Sequence, residues 1–190
     1  MFLDIGVGIL LGLWLGPSHS TFSNVAFGIM FTLLPDSDIF LYFTLRNLLK
    51  KKFNKQLREH RVFFHYPLPF LVIVGSVVYW LNPSLLPLFI AGTLVQFIHD
   101  SIGPGWGIPW FYPFSKKYFK FFYQLDLHLT NQPQKLMWVW SKEEQIKLGD
   151  EYINASWRKN LFHFIKAAPM WNLFEFCLLI IGLSVLIIHS

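Results

Sequence analysis

The chain has 190 residues, is 54% hydrophobic and 19% aromatic, and carries a formal net charge of +5. One domain fits that length, but so apolar a composition, with a mean hydropathy of +0.42, excludes an ordinary soluble globule and reads as a membrane protein. Cys177 is the single cysteine, which excludes an intrachain disulfide and a cysteine-based zinc site.

The positive charge is confined to two blocks: of sixteen Lys and Arg, seven lie in 46–61 and nine in 116–166, while 2–31, 66–98 and 170–190 hold none. This is the positive-inside pattern; it puts both blocks in the cytoplasm and assigns the basic excess to orientation and to anionic lipid headgroups, not to nucleic acid.

Segment 2–16 is apolar and glycine-rich, shorter than the roughly 20 residues of a full span, and predicts a helix packed closely in a bundle. It has no basic leader and no small-residue cleavage signal, so it reads as a retained segment with Asp4 at its cytoplasmic end. After a turn at Pro17-Ser18-His19-Ser20, Ser20 or Thr21 can cap a helix over 22–34, which runs down to Leu33-Leu34-Pro35-Asp36-Ser37-Asp38. Residues 39–49 keep helical spacing and break into Lys50-Lys51-Lys52, an interfacial helix. The chain re-enters over 66–81, turns at Asn82-Pro83-Ser84 and returns over 85–98 to His99-Asp100. The glycines of 103–107 stop the helix there.

The insert 102–169 predicts a half-buried strand over 118–130, a turn at 131–134 and a return strand over 135–140. Ser141-Lys142-Glu143-Glu144 is a capping box opening an amphipathic helix to about 164. Pro169 ends it, and 170–188 is a last span. The sum is a mainly α, polytopic membrane helical bundle of five membrane segments, amino terminus inside and carboxyl terminus outside, the short first two being possible re-entrant segments. Residues 1–101, the insert 102–169 and the span 170–190 form one integrated domain.

Chemistry concentrates at the inner ends of the spans. A carboxylate at membrane depth costs roughly 2.5–3.5 kcal/mol on insertion scales, and Asp36 and Asp38, two apart in a turn, can aim oxygens at one cation. The alternative is a helix cap. The third span opens on Glu59-His60-Arg61-Val62-Phe63-Phe64-His65 and the fourth closes on His99-Asp100. Each histidine alone could be interfacial; three helix ends bearing such groups at one depth point to a divalent metal, zinc or manganese foremost, with donors enough for one or two ions. Asp36, Asp38, His60, His65, His99 and Asp100 are the ligand candidates and Asp4 a weaker seventh. Arg61 suits a substrate phosphate through its bidentate fork, and Glu59 is a candidate general base. Asp126 and His128 on the insert, and His163, read more simply as surface or interfacial groups.

Leu34-Pro35-Asp36-Ser37-Asp38, then His60-Arg61-x-x-x-His65, then Asp100 with a glycine turn and Tyr112-Pro113-Phe114, resembles the YdjM-type family of membrane-bound metal-dependent hydrolases over about 6–114. The resemblance implies a multi-pass bacterial inner-membrane protein with a site of Asp and His. The chain departs from the pattern at Val62, Phe64 and Tyr66. Gln96 stands where the family often has a histidine, and Asp4 where it often has another near the first span.

Together these residues predict a hydrolase that uses a metal-activated water on an ester or phosphoester of a lipid or lipid-linked substrate at the inner headgroup plane, where Trp106, Trp110 and Tyr112 also stand. Two other classes share the residues: a proton or metal transporter, disfavoured because the outer half holds few ionisable groups beyond His19, Glu175 and His189, and a scaffold with a structural metal. Membrane lipids are the expected partners.

Overall fold

A computed structural model describes residues 2–17, 20–38, 64–102, 107–121, 136–144 and 169–189. Among the described residues five α-helices carry the fold: α1 (Phe2–Leu15), α2 (Thr21–Leu33), α3 (Pro67–Leu81), α4 (Leu86–Ile102) and α5 (Pro169–His189). Two short strands, β1 (Tyr118–Phe121) and β2 (Met137–Trp140), pair antiparallel with Tyr118 opposite Trp140 and Phe121 opposite Met137. The expected interfacial helix 39–49, most of the strand 118–130, the turn 131–134 and the amphipathic helix beyond Glu144 lie outside the described residues.

Helix starts follow the local chemistry. Ser20 caps α2 by accepting from the Ser23 amide at 3.4 Å, and Asn82 caps the 3-10 turn Pro83–Leu85 ahead of α4 by accepting from the Ser84 amide at 3.1 Å. The capping box is reciprocal: the Glu144 amide donates to Ser141 Oγ at 3.2 Å and the Ser141 amide to Glu144 Oε2 at 2.7 Å. At the end of α2 the chain tightens into a 3-10 turn, Leu34–Ser37, because Pro35 supplies no amide for continued α pairing.

α1 packs between α2 and α5 and touches α4, as its small residues allow. A Cβ on Gly6 would meet the Leu178 carbonyl oxygen at 2.5 Å, and one on Gly182 the Gly6 carbonyl oxygen at 2.7 Å, so α1 and α5 meet backbone to backbone. α2, α3 and α4 share an apolar core in which Phe31, Phe70, Phe89 and Phe97 are buried together. The Phe31 and Phe89 rings cross edge-on at 5.4 Å, and those of Phe70 and Phe97 at 5.8 Å.

Pro83–Ile102 and Asn172–His189 are long and apolar enough to cross a membrane; Phe2–Leu15 and Pro67–Leu81 are apolar but shorter. Large apolar side chains such as Val72, Ile73, Trp80, Phe176, Ile180 and Ile187 stand exposed on α3 and α5, the character of a surface that meets lipid. The mainly helical architecture with a small two-stranded sheet is as expected; among the described residues, two of the five expected segments reach spanning length.

Candidate metal centre

Three elements deliver the site. The 3-10 turn after α2 presents Asp36 and Asp38, the turn before α3 presents His65, and the last turns of α4 present Gln96 and Asp100. Gln96 and Asp100 share a helix face because they are four residues apart.

His65 is the hub, 1% exposed. Its Nδ1 lies 3.1 Å from Asp38 Oδ2. Its Nε2 lies 3.0 Å from Asp100 Oδ2 and 3.4 Å from Asp36 Oδ1, without a well-aligned hydrogen bond to either. One donor atom each from Asp36, His65 and Asp100 falls within 4.8 Å of the others. Neighbouring ligands about 2.1 Å from an ion stand roughly 3.0–3.4 Å apart, and the two separations from Nε2 match that.

Gln96 Nε2 donates to Asp36 Oδ2 at 2.8 Å, turning the other Asp36 oxygen toward His65, while the buried Gln96 Oε1 has no partner among the described residues. The Asp36 side chain is 45% exposed, whereas those of Asp38 and Asp100 are 5% and 8% exposed, so the site opens on the Asp36 side. The two aspartates of the turn aim oxygens at His65 and Gln96; the segment 39–49 that either could cap lies outside the described residues.

Three carboxylates around one buried imidazole require a compensating cation. Burial pulls the His65 pKa down, but Asp100, Asp36 and Asp38 outweigh it and raise it from 6.5 to about 10. Without metal, His65 therefore holds its second proton where a cation would stand. Lys120, 1% exposed on β1, adds positive charge from beneath by donating to the Asp100 carbonyl oxygen at 3.2 Å.

The donor set fits a divalent ion. Asp38 can hold Nδ1–H and so leave Nε2 as the donor facing two carboxylate oxygens, the carboxylate–histidine arrangement typical of metal-binding imidazoles. One histidine, two carboxylates and an open side suit zinc, manganese or iron.

Asp4 and His99 form a separate cluster. His99 Nδ1 lies 2.8 Å from Asp4 Oδ1, and Nε2 lies 3.0 Å from Glu175 Oε1. The two ring nitrogens point to opposite sides, so the carboxylates bracket the imidazole and tie α1, α4 and α5 together. Glu175, assigned to the outer half by the topology reading, instead sits at the level of Asp4 and His99. Glu59, His60 and Arg61 lie outside the described residues, as do His19, Trp106, Asp126, His128 and His163.

Sequence reasoning passed over Lys120 and the partnership of Glu175. The first signal was the strand alternation that puts Tyr118 and Lys120 on one face; the second was an ionisable residue inside an apolar span.

No curated protein and no solved structure matches this chain. A family model described as YdjM inner membrane protein matches residues 4–188, nearly the whole length, and the chain belongs to that family.

Proposed function

We propose that the protein is a metal-dependent hydrolase of the inner membrane that acts on a phosphoester or ester of a lipid or lipid-linked substrate. Asp36, His65 and Asp100 hold the ion, Asp38 orients His65, and Gln96 orients Asp36. A bound divalent ion supplies Lewis-acid activation of a water molecule and polarises the scissile ester. The reading is carried by one observation: His65 Nε2 faces Asp100 Oδ2 at 3.0 Å and Asp36 Oδ1 at 3.4 Å while Nδ1 faces Asp38 at 3.1 Å.

The protein's own groups do the rest. The exposed edge of Asp36 admits water and substrate, Asp100 stays buried over Lys120, and Arg61 and Glu59 enter as substrate-phosphate binder and general base. The positive-inside charge pattern supports five membrane segments, amino terminus in the cytoplasm, with the site at the inner headgroup plane and the insert 102–169 beside it.

The test is elemental analysis of the detergent-purified protein beside Asp36→Ala/Asp100→Ala, followed by phosphoester and lipid-ester assays with the metal found. One or two transition-metal ions per chain, lost in the variant together with turnover, are expected. Metal bound without any turnover would favour a structural site in a scaffold, and metal uptake into proteoliposomes a transporter.

A further inference from the structure

The two-stranded sheet is inside out for a surface that meets water. Alternate side chains of a strand take opposite faces, and here the polar ones turn inward: Tyr118, Lys120 and Trp140 are buried, and Lys120 donates to the Asp100 carbonyl oxygen at 3.2 Å. The other face is wholly apolar. The register sets Phe119 opposite Val139 and Phe121 opposite Met137, and Met137 and Val139 are 48% and 40% exposed. Phe111 extends this face by meeting the Phe119 ring edge-on at 5.3 Å. Phe114, three residues on, is 88% exposed.

The place of this face in the fold says what covers it. The segment leading to β1 folds back against α4: Trp110 Nε1 donates to Ser101 Oγ at 2.8 Å, and the Trp110 ring crosses that of Phe97 edge-on at 6.2 Å. The sheet therefore hangs from the last turns of a helix long and apolar enough to cross a membrane. At the same end α5 begins at Pro169, six residues or about 9 Å before Glu175, and Leu173 and Phe174 are exposed in that stretch. Apolar surface thus continues past the level of the His99–Glu175 pair. Lys116, within electrostatic reach of Glu143, and Lys117 stand exposed two and three residues after Phe114, cations placed where an apolar surface meets anionic headgroups. Among the described residues β2 is an edge strand, and an open strand edge needs water within reach. The sheet fits the boundary between acyl chains and headgroups, where an amphipathic element buries its apolar face about 5–10 Å deep.

We propose that this face is a membrane-inserted surface: Phe111, Phe114, Met137 and Val139 sit among the acyl chains at the boundary of the inner leaflet, with Lys116 and Lys117 among its headgroups. Lipid makes the inverted alternation favourable along the whole face, since the outward side chains leave water and Lys120 stays with the Asp100 carbonyl. The hairpin then belongs to the membrane body of the protein and not to a cytoplasmic domain, and its insertion is independent of any turnover.

The test is spin-label accessibility in the full chain, carrying Cys177→Ser and reconstituted into vesicles of phosphatidylethanolamine and phosphatidylglycerol. Labels are attached one at a time at Phe111→Cys, Phe114→Cys and Val139→Cys, beside Ile180→Cys on the exposed side of α5 as the lipid reference and Glu143→Cys as the water reference. Labels at 111, 114 and 139 are expected to collide with dissolved oxygen and to lose relaxation by a water-soluble nickel chelate, as at 180. All five positions are exposed, and equal metal content across the set confirms a common fold. Nickel relaxation at 114 and 139 as strong as at 143 puts the face in water and overturns the proposal. Shielding from both oxygen and nickel overturns it as well, because protein, from this chain or a second copy, then covers the face.

Discussion

Asp38 Oδ2 lies 3.1 Å from His65 Nδ1, and this pairing turns the opposite imidazole nitrogen toward Asp36 and Asp100. A neutral imidazole has one donor and one acceptor nitrogen, so the carboxylate on Nδ1 selects the tautomer that offers Nε2 to a metal. Asp38→Asn is expected to leave the protein folded and to weaken metal binding by roughly 10–100-fold. Competition against a chromophoric chelator checks this, and undiminished affinity would make Asp38 a bystander.

Gln96 holds Asp36 through a 2.8 Å hydrogen bond. Gln96→Leu removes that hold and is expected to lower metal affinity by at least about tenfold. Gln96→His, which places an imidazole where the glutamine stood, should keep affinity at or above wild type. Metal content after dialysis against graded chelator separates the two variants.

The pH dependence of the metal-free protein has a defined sign. His65 has a pKa of about 10 in the folded chain against 6.5 as a free side chain, so its contribution to stability is fully present below pH 6.5 and fades as pH rises toward 10. Thermal unfolding of chelator-treated protein from pH 6 to 10 should therefore show a falling midpoint. The His65→Gln variant should lose that slope. Metal competes with the same proton, so affinity should rise across the same window.

The cluster of Asp4, His99 and Glu175 is separable from the metal centre. Glu175→Ala leaves the largely buried His99 Nε2 without its carboxylate while Asp4 still holds Nδ1; an unsatisfied buried donor costs about 1–3 kcal/mol, so the variant is expected to be destabilised while purified protein keeps its metal. Denaturant titration and elemental analysis of the same sample check both halves. Metal loss at full stability would instead make Glu175 part of the metal centre.

Gly6 is the corresponding packing test. A Leu there drives its Cβ against the Leu178 carbonyl oxygen, at 2.5 Å before any relaxation, and overpacking of this kind costs about 1–3 kcal/mol or more. Gly6→Leu should lower the unfolding midpoint, read by denaturant titration beside the wild type, and an unchanged midpoint would show that α1 and α5 can part at this level without cost.

Much of this was legible without a fold. Composition and the two basic blocks mark a membrane protein, Pro35 and the Asn82-Pro83-Ser84 turn mark where helices stop, and Ser20 and the Ser141–Glu144 box mark where they start. Those signals are local, acting within a few residues, and a linear reading can carry them. The convergence of Asp36, His65 and Asp100 was also foreshadowed, since groups at the same ends of successive helices share a depth.

What the chain order could not say is how those donors divide. His99 and Asp100 are neighbours in sequence but about 100° apart around α4, so one faces α1 and α5 while the other faces the turns before α3 and after α2. Which helix lies opposite each face depends on the glycine contacts of Gly6 and Gly182 and on the shared phenylalanine core, contacts between residues far apart in the chain. The sequence by itself determined the membrane character, the helix ends and the stock of metal donors. Tertiary packing alone decided that Asp38 takes the other nitrogen of His65, that His99 leaves this group to join Asp4 and Glu175, and that Lys120 reaches the Asp100 carbonyl, because partner choice is a property of opposed helix and strand faces and not of spacing along one strand or helix.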